Sequence, residues 1–496
     1  MTVSRELNLS TSGEYVLIID VGSSSIRVSA IDQSFDFINT YSVDFLPVVN
    51  SDGIVEFNAS ELRSSVLSLC EAAINAHGTP KGIAITNQRA STIVWDRQTA
   101  DPVFNGISWQ DLRTVGDCLG LQAEGIRLAP NVSATKLAYI LNQDTESRKK
   151  DLCFGTIESY IIFFLSHGGD KNGTHITDPS NVALTGMFDP DTFDWSDRIL
   201  SKLDIPKNML PRVVNSCGEL AVASRLKGSP LICGALGDQQ ASLLGQVCIS
   251  PGDAKATFGT GAMLDQLIDT SPKIYGQSPN GTIPVVAWSL QSRIYWALEA
   301  VMLAAGSNIQ WLKDGLGLID DVSQANDVDP AGYVNQDVFF VPALSGLGTP
   351  NWDFGASGAF FGLSLATDKN KILLAVLNGI ANLAADMKEA AVKDSTLPIE
   401  SLKIDGGMTK NRVFCQLLAN ACQIPVEVSP VVEATTLGAA YLAYYQLGLF
   451  DEFSEIKNIK KITTLVEPNM NSNRDKWNEA KSRALKWIPE LSGISF

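Results

Sequence analysis

Two segments of this chain share one design although about half its length separates them. "LIIDVGSSSIRVSAID" (Leu17–Asp32) and "AKATFGTGAMLDQLID" (Ala254–Asp269) each read as an apolar strand, a turn of small residues and a second strand. A chain of 496 residues exceeds what one hydrophobic core usually supports. Two such hairpins therefore predict two lobes of related build, facing each other across a cleft. The boundary is expected near "VCISPGDAK", where Pro251 and Gly252 interrupt the pattern, giving lobes 1–252 and 253–496. Strand-like and helix-like runs alternate elsewhere: "KGIAIT" before "NQRASTIVWD", "SPLICGALG" before "DQQASLLGQVC", "SLKIDGG" before "NRVFCQLLANAC". That alternation, with short glycine-containing connections, is the signature of the α/β class.

Composition narrows the partners. A formal net charge of -16 repels phosphate backbones and anionic lipid, so neither nucleic acid nor a membrane surface is expected. "IIFFL" (Ile161–Leu165) is far shorter than the ~18 apolar residues of a membrane span. The start, "MTVSRELNLSTSGEY", has no apolar stretch of the secretory kind, and the eight scattered cysteines include no CxxC pair, so reduced thiols and a cytoplasmic location are expected. His77, His167 and His175 all fall in stretches that read as surface loop. Any general base is then expected to be a carboxylate.

Three glycine turns and two polar clusters could carry chemistry. In the first hairpin, successive N–H groups around Gly22, Ser23, Ser24 and Ser25 would form a nest for phosphate, with Arg27 adding a full charge. Asp20, just before the turn, could hold a magnesium ion through water. "FGTG" (Phe258–Gly261) repeats the logic with Thr260, and "IDGGMTKN" (Ile404–Asn411) offers a third close backbone approach. Neither a Walker A loop nor a GxGxxG fingerprint occurs. Asp238 stands where a buried strand gives way to a helix, so it reads either as a helix N-cap or as a general base at a domain cleft, with Gln239 steadying the same substrate. Arg89, Trp109, Gln110, Asp111 and Arg113 supply an aromatic wall and fixed hydrogen-bonding groups of the kind that suits a polyol, or else a core tryptophan among surface polar residues.

Together these segments resemble the FGGY carbohydrate kinases, and within that family the glycerol kinases. The resemblance runs from about Val16 to about Leu447 in the family's order: the phosphate hairpin, "NQR" with "VWD" and "WQD", "GDQQA", "FGTG", "ALE" followed by "IQWL", "SGAFFGL", "DGG" and "TTLGAAYLA". It implies a pair of actin-like (ribonuclease H-like) lobes with ATP in the cleft. It further implies phosphate and metal handling by Asp20, Ser23, Ser24, Ser25, Arg27 and Thr260, with Mg²⁺ also near Asp238. Adenosine-side contacts would come from Gly306, Gln310, Gly407 and Asn411; Asp238 would be the catalytic base beside Gln239, with Arg89 and Trp109 on the substrate.

The departures from the family pattern lie in the substrate pocket. Glycerol kinases follow the matching arginine with glutamate, where this chain has Ala90; Val132 and Met263 stand where they carry a tyrosine and a phenylalanine. A site that has lost an acceptor and two rings forfeits discrimination for the smallest triol. The expectation is a kinase for the terminal hydroxyl of a longer polyol or sugar. Its alternatives are a true glycerol kinase with a rebuilt pocket and a catalytically weak ATP-binding sensor on the same frame. A small-molecule partner is expected, and a homodimer is among the assemblies such a chain can form.

Overall fold

The first hairpin forms where the sequence places it. Strand β1 (Tyr15–Val21) is buried along its whole length and pairs antiparallel with β2 (Ser25–Asp32), so that Asp20 lies opposite Arg27. These strands come from a computed structural model that describes residues 14–50, 53–143, 150–168, 172–272, 276–329, 337–429, 433–459 and 463–494. An all-buried strand belongs in the middle of a covered sheet. The first sheet accordingly runs β5-β6-β4-β1-β2-β3, with β3 (Phe37–Asp44), β4 (Gly82–Asn87), β5 (Cys217–Val222) and β6 (Leu231–Gly237); β1, β4 and β6 are parallel.

The second sheet repeats this order. Its hairpin, β7 (Ala254–Phe258) with β8 (Ala262–Ile268), is followed by β9 (Ile283–Leu290) and β10 (Arg293–Met302), then by β11 (Leu402–Asp405), β12 (Val426–Val428) and β13 (Thr464–Val466). The strands lie β9-β10-β8-β7-β11-β12-β13. The hairpin again meets an antiparallel third strand on one side (β10) and two parallel strands on the other (β11, β12), so the echo seen in the sequence is a repeat of topology. The added strand β9 extends the far edge.

Two helices join the sheets. Helix α1 (Asp238–Gly245) follows β6, and α2 (Gly306–Asp314) follows β10; α3 (Lys369–Ser395) packs in the core of the second sheet, and α4 (Arg412–Cys422) follows β11. Helix α5 (Ala434–Gln446) comes from the far end of the chain, yet its Ala439, Ala440, Ala443 and Tyr444 pack on Val16, Ile18 and Ala84 of the first sheet. It crosses α1 where a side chain on Gly438 would strike the carbonyl of Ala241, and one on Gly245 the carbonyl of Ala434. Only glycine allows backbones so close.

Two expectations are corrected. "NQRASTIVWD" is not helical: Ile93–Asp96 is a strand antiparallel to Leu152–Gly155, because Thr92, Ile93, Val94 and Trp95 favour a pleated, buried surface over a helix. Nor are the histidines all loop residues. His77 is the last residue of the helix Ala59–His77, and His175 bonds the carbonyl of Phe154 at 2.8 Å, burial pushing its ring down to about 4. The segment "IIFFL" lies in a fully buried helix (Ile157–Ser166), and among the described residues no helix is long and apolar enough to cross a membrane.

Candidate active site

The site is built from strand ends. At the tip of the first hairpin the Gly22 N–H donates to the Ser25 carbonyl (3.0 Å), leaving Ser23 and Ser24 exposed. Asp20, the next-to-last residue of strand β1, is 2% exposed and accepts from Arg27 Nη2 at 2.8 Å; the other arm of Arg27 bonds Glu433, just before α5. Burial pushes the Asp20 carboxyl up to about 6, opposed by Arg27 and reinforced by Glu433 and Asp238. The cation expected on a phosphate is thus shared between two carboxylates, and phosphate would compete with Glu433 for it.

On the second lobe three glycine segments gather by backbone contact. The Ala305 N–H donates to the Thr260 carbonyl (2.8 Å) and the Gly306 N–H to the Gly259 carbonyl (2.9 Å), docking the start of α2 on the "FGTG" turn. A Cβ on Gly306 would stand 2.6 Å from the Gly259 oxygen, and one on Gly406 (φ +96°) would strike the Phe258 carbonyl. A Cβ on Gly407 would meet nothing within 4 Å. Thr260 and Gln310 are exposed, Gln310 donating to Asp314 at 2.5 Å. Asn411 is spent on the fold: its oxygen caps α4 at Phe414 N (3.0 Å), and its amide donates to the Ala325 carbonyl (2.8 Å).

Between the lobes lies a buried charged cluster around Asp238. Gly237 is the N-cap of α1 and Asp238 its first residue, so of the two readings the N-cap one does not hold. The Asp238 carboxylate accepts the Gln239 N–H (2.8 Å) and faces Arg89 Nε at 3.6 Å, with 30% of its side chain still open. Burial raises its pKa; Arg89 and Lys255 pull it down. Arg89 is itself 9% exposed and reaches across to the second lobe, where its Nη2 lies 2.7 Å from Glu299 Oε2 and 3.7 Å from Met263 Sδ. Its Nη1 is buried without a hydrogen-bond partner, an orphan donor that a ligand would satisfy. Lys255 Nζ donates to Gln239 Oε1 (2.6 Å) and pairs with Asp265 (2.8 Å).

The remaining expected pocket residues fall on the first lobe. Ala90 follows Arg89 with φ +59°, and its carbonyl accepts from Ser133 Oγ. Asn131 Nδ2 bonds the Trp109 carbonyl (3.0 Å), bringing the half-buried Val132 and Trp109 segments together. Buried Lys136 ties the same two segments, donating to the Ser108 and Asn131 carbonyls. Asp111 and Arg113 bond each other, Val55 N and Glu56, bracing this loop from behind, and Gln110 is exposed. Sequence reasoning missed Lys255, Asp265 and Glu299. The available signal was charge inside otherwise apolar strands, "AKATF", "AMLDQLI" and "RIYWALEAVM".

Comparison with known proteins decides what this geometry belongs to. The models for the FGGY family of carbohydrate kinases match residues 15–245 (N-terminal domain) and 254–447 (C-terminal domain). This chain belongs to that family. Glycerol kinase 2 of Thermotoga maritima is 36% identical over 499 residues, covering 96% of this chain and 99% of its own. Glycerol kinase of Bacillus licheniformis is 36% identical, covering 92% and 95%. Among solved structures, Plasmodium falciparum glycerol kinase with ADP superposes at a TM-score of 0.86 with 27% identity, covering 98% of this chain and 100% of that one. Gluconate kinase from Lactobacillus acidophilus, at 0.81 and 21%, shares the fold. The FGGY protein described here is therefore an ATP-dependent carbohydrate kinase on an actin-like pair of lobes, acting on a small molecule.

Proposed function

We propose that the enzyme transfers the γ-phosphoryl group of ATP to a terminal hydroxyl of a polyol or sugar longer than glycerol, in the cytoplasm. The observation that carries this reading is the partly open acid Asp238 beside Arg89, whose Nη1 is orphaned and whose Nη2 contacts Met263, one of the three positions, with Ala90 and Val132, where this chain departs from the glycerol kinase pattern. An alcohol seated there offers its oxygen lone pair to Arg89 and its proton to Asp238. As the oxygen attacks phosphorus in line, the O–H proton passes to the carboxylate, the new O–P bond forms, and the bond to the ADP oxygen breaks. The raised pKa of Asp238 suits it to accept that proton.

The nest at Ser23, Ser24 and Ser25, with Arg27 and Thr260, would hold the phosphates; Gly306, Gly407 and Gln310 would line the adenosine side, Asn411 acting through the fold. Asp20 and Asp238, near enough that Asp238 raises the Asp20 pKa, would hold Mg²⁺, which takes one or two carboxylates from a protein and the rest from phosphate and water. Bound there, the ion would neutralise charge on the transferring group.

A panel of acceptors running from glycerol to seven-carbon polyols and ketoses tests the proposed acceptor length. The expected result is a kcat/KM maximum beyond three carbons. A clear preference for glycerol would instead support the second reading, a glycerol kinase with a rebuilt pocket, which the named relatives favour.

A further inference from the structure

The three charged residues that the sequence did not announce form one row. Lys255 stands opposite Asp265 across β7 and β8, and Asp265 opposite Glu299 across β8 and β10. Cross-strand partners leave a sheet on the same face, so all three look toward the first lobe. They are 0%, 3% and 5% exposed. Two acids directly opposed in a sheet repel, and burial makes the arrangement costly unless each charge is matched. A core alone has no need of it.

What the row touches gives it a use. Lys255 donates to Gln239 Oε1 at 2.6 Å, and Glu299 meets Arg89 Nη2 at 2.7 Å. Asp265 neutralises Lys255 at 2.8 Å, and Met263, two residues earlier on the same face, contacts Arg89. Gln239 and Arg89 flank Asp238 on the first lobe, so each is tied down by a charge from the second.

We infer that Glu299 and Lys255, braced by Asp265, are positioning residues that hold Arg89 and Gln239 in the arrangement that receives the acceptor beside Asp238. The inference rests on the reading that Asp238 and its neighbours form the acceptor site. Its consequence is that the acceptor site is complete only when both lobes are together, while the nucleotide contacts do not depend on the row.

The test is steady-state kinetics with ATP and the panel member of highest kcat/KM, on the wild type, Glu299→Gln, Lys255→Met/Asp265→Leu, Lys255→Arg and Asp238→Asn. The double variant removes a buried pair as a unit and leaves no lone charge behind. In Glu299→Gln and in the double variant the acceptor KM should rise about tenfold or more, with the ATP KM nearly unchanged in both. The melting temperature should be nearly unchanged in the double variant, whereas Glu299→Gln, which leaves Arg89 short of a partner, should melt somewhat lower. Lys255→Arg, which keeps a donor for Gln239, should recover most of the loss. An unchanged acceptor KM, or acceptor and ATP KM rising together, overturns the inference, as does collapse of the fold in both variants. Turnover surviving in Asp238→Asn, or no turnover by the wild type on any panel member, overturns instead the reading beneath it.

Discussion

Asp238 and Glu158 are both acids whose pKa values are raised chiefly by burial, yet in the proposed arrangement only Asp238 does chemistry. Asp238 keeps part of its side chain open beside an unsatisfied donor, whereas Glu158 is sealed in the helix Ile157–Ser166, where its Oε1 accepts from Thr156 and Thr177 at 2.7 Å each. A shifted pKa marks a functional site only with an opening to go with it. For Glu158 the shift is a matter of stability. Its carboxyl is pushed up to about 7 from an ordinary value of 4.5, by burial first and then by Asp178. Between these values the folded protein holds a proton that the unfolded chain has released, so stability falls as pH rises through this window, by about 3 kcal/mol in all. Below it there is no penalty, and above it the penalty is complete. Glu158→Gln should remove that slope, melting close to the wild type at pH 5 and clearly above it at pH 8. Parallel melting curves across the range would refute the assignment. The same contrast explains what the sequence disclosed at this scale. Asp238 and Arg89 were legible because each adjoins a strand end with an unusual polar cluster, whereas Lys255, Asp265 and Glu299 come from three separate strands and become neighbours only through sheet register, which no local pattern states.

At the level of elements, what is local was readable and what is long-range was not. The two hairpins and the strands before α1 and α4 follow from apolar runs ended by glycine turns. The fate of "TTLGAAYLA" does not, since nothing in it says that α5 will leave the second half of the chain to cover the first sheet. Its small residues do predict close packing, and the α1–α5 crossing shows how close. Gly438→Ala would drive a methyl into the Ala241 carbonyl, a backbone atom that cannot rotate away. The helices must separate, at a cost of about 1–3 kcal/mol or more. Because they are also the struts between the two sheets, kcat should fall with stability. Gly116→Ala is the matched control: it lies in the helix Val115–Ala123, and its Cβ would meet nothing within 4 Å. That substitution should be neutral or slightly stabilising, since alanine loses less backbone freedom than glycine in a helix. Equal melting temperatures for the two variants would sink the argument that the crossing depends on its glycines.

For the whole molecule, duplicated topology puts equivalent turns at equivalent places in two sheets, and a nucleotide gripped by both would make them behave as one unit. Gly406 and Gly407 separate the needs of the fold from those of the ligand. Gly406 has a positive φ and presses on the Phe258 carbonyl, so the fold requires it; Gly407 has open space where a side chain would stand, so the fold does not. A glycine where nothing crowds it fits a backbone that something else must approach. In the proposed arrangement that something is the adenosine end of the nucleotide. A ligand binding only the folded state at a hundred times its Kd stabilises it by about 2.7 kcal/mol. ADP with Mg²⁺ should therefore raise the melting temperature of the wild type. Gly407→Leu should melt like the wild type without nucleotide, yet lose that rise and much of its affinity for ATP. A leucine that left the ADP-induced shift intact would move the adenosine site away from this turn. One that destabilised the free protein would show that the space belongs to the fold after all.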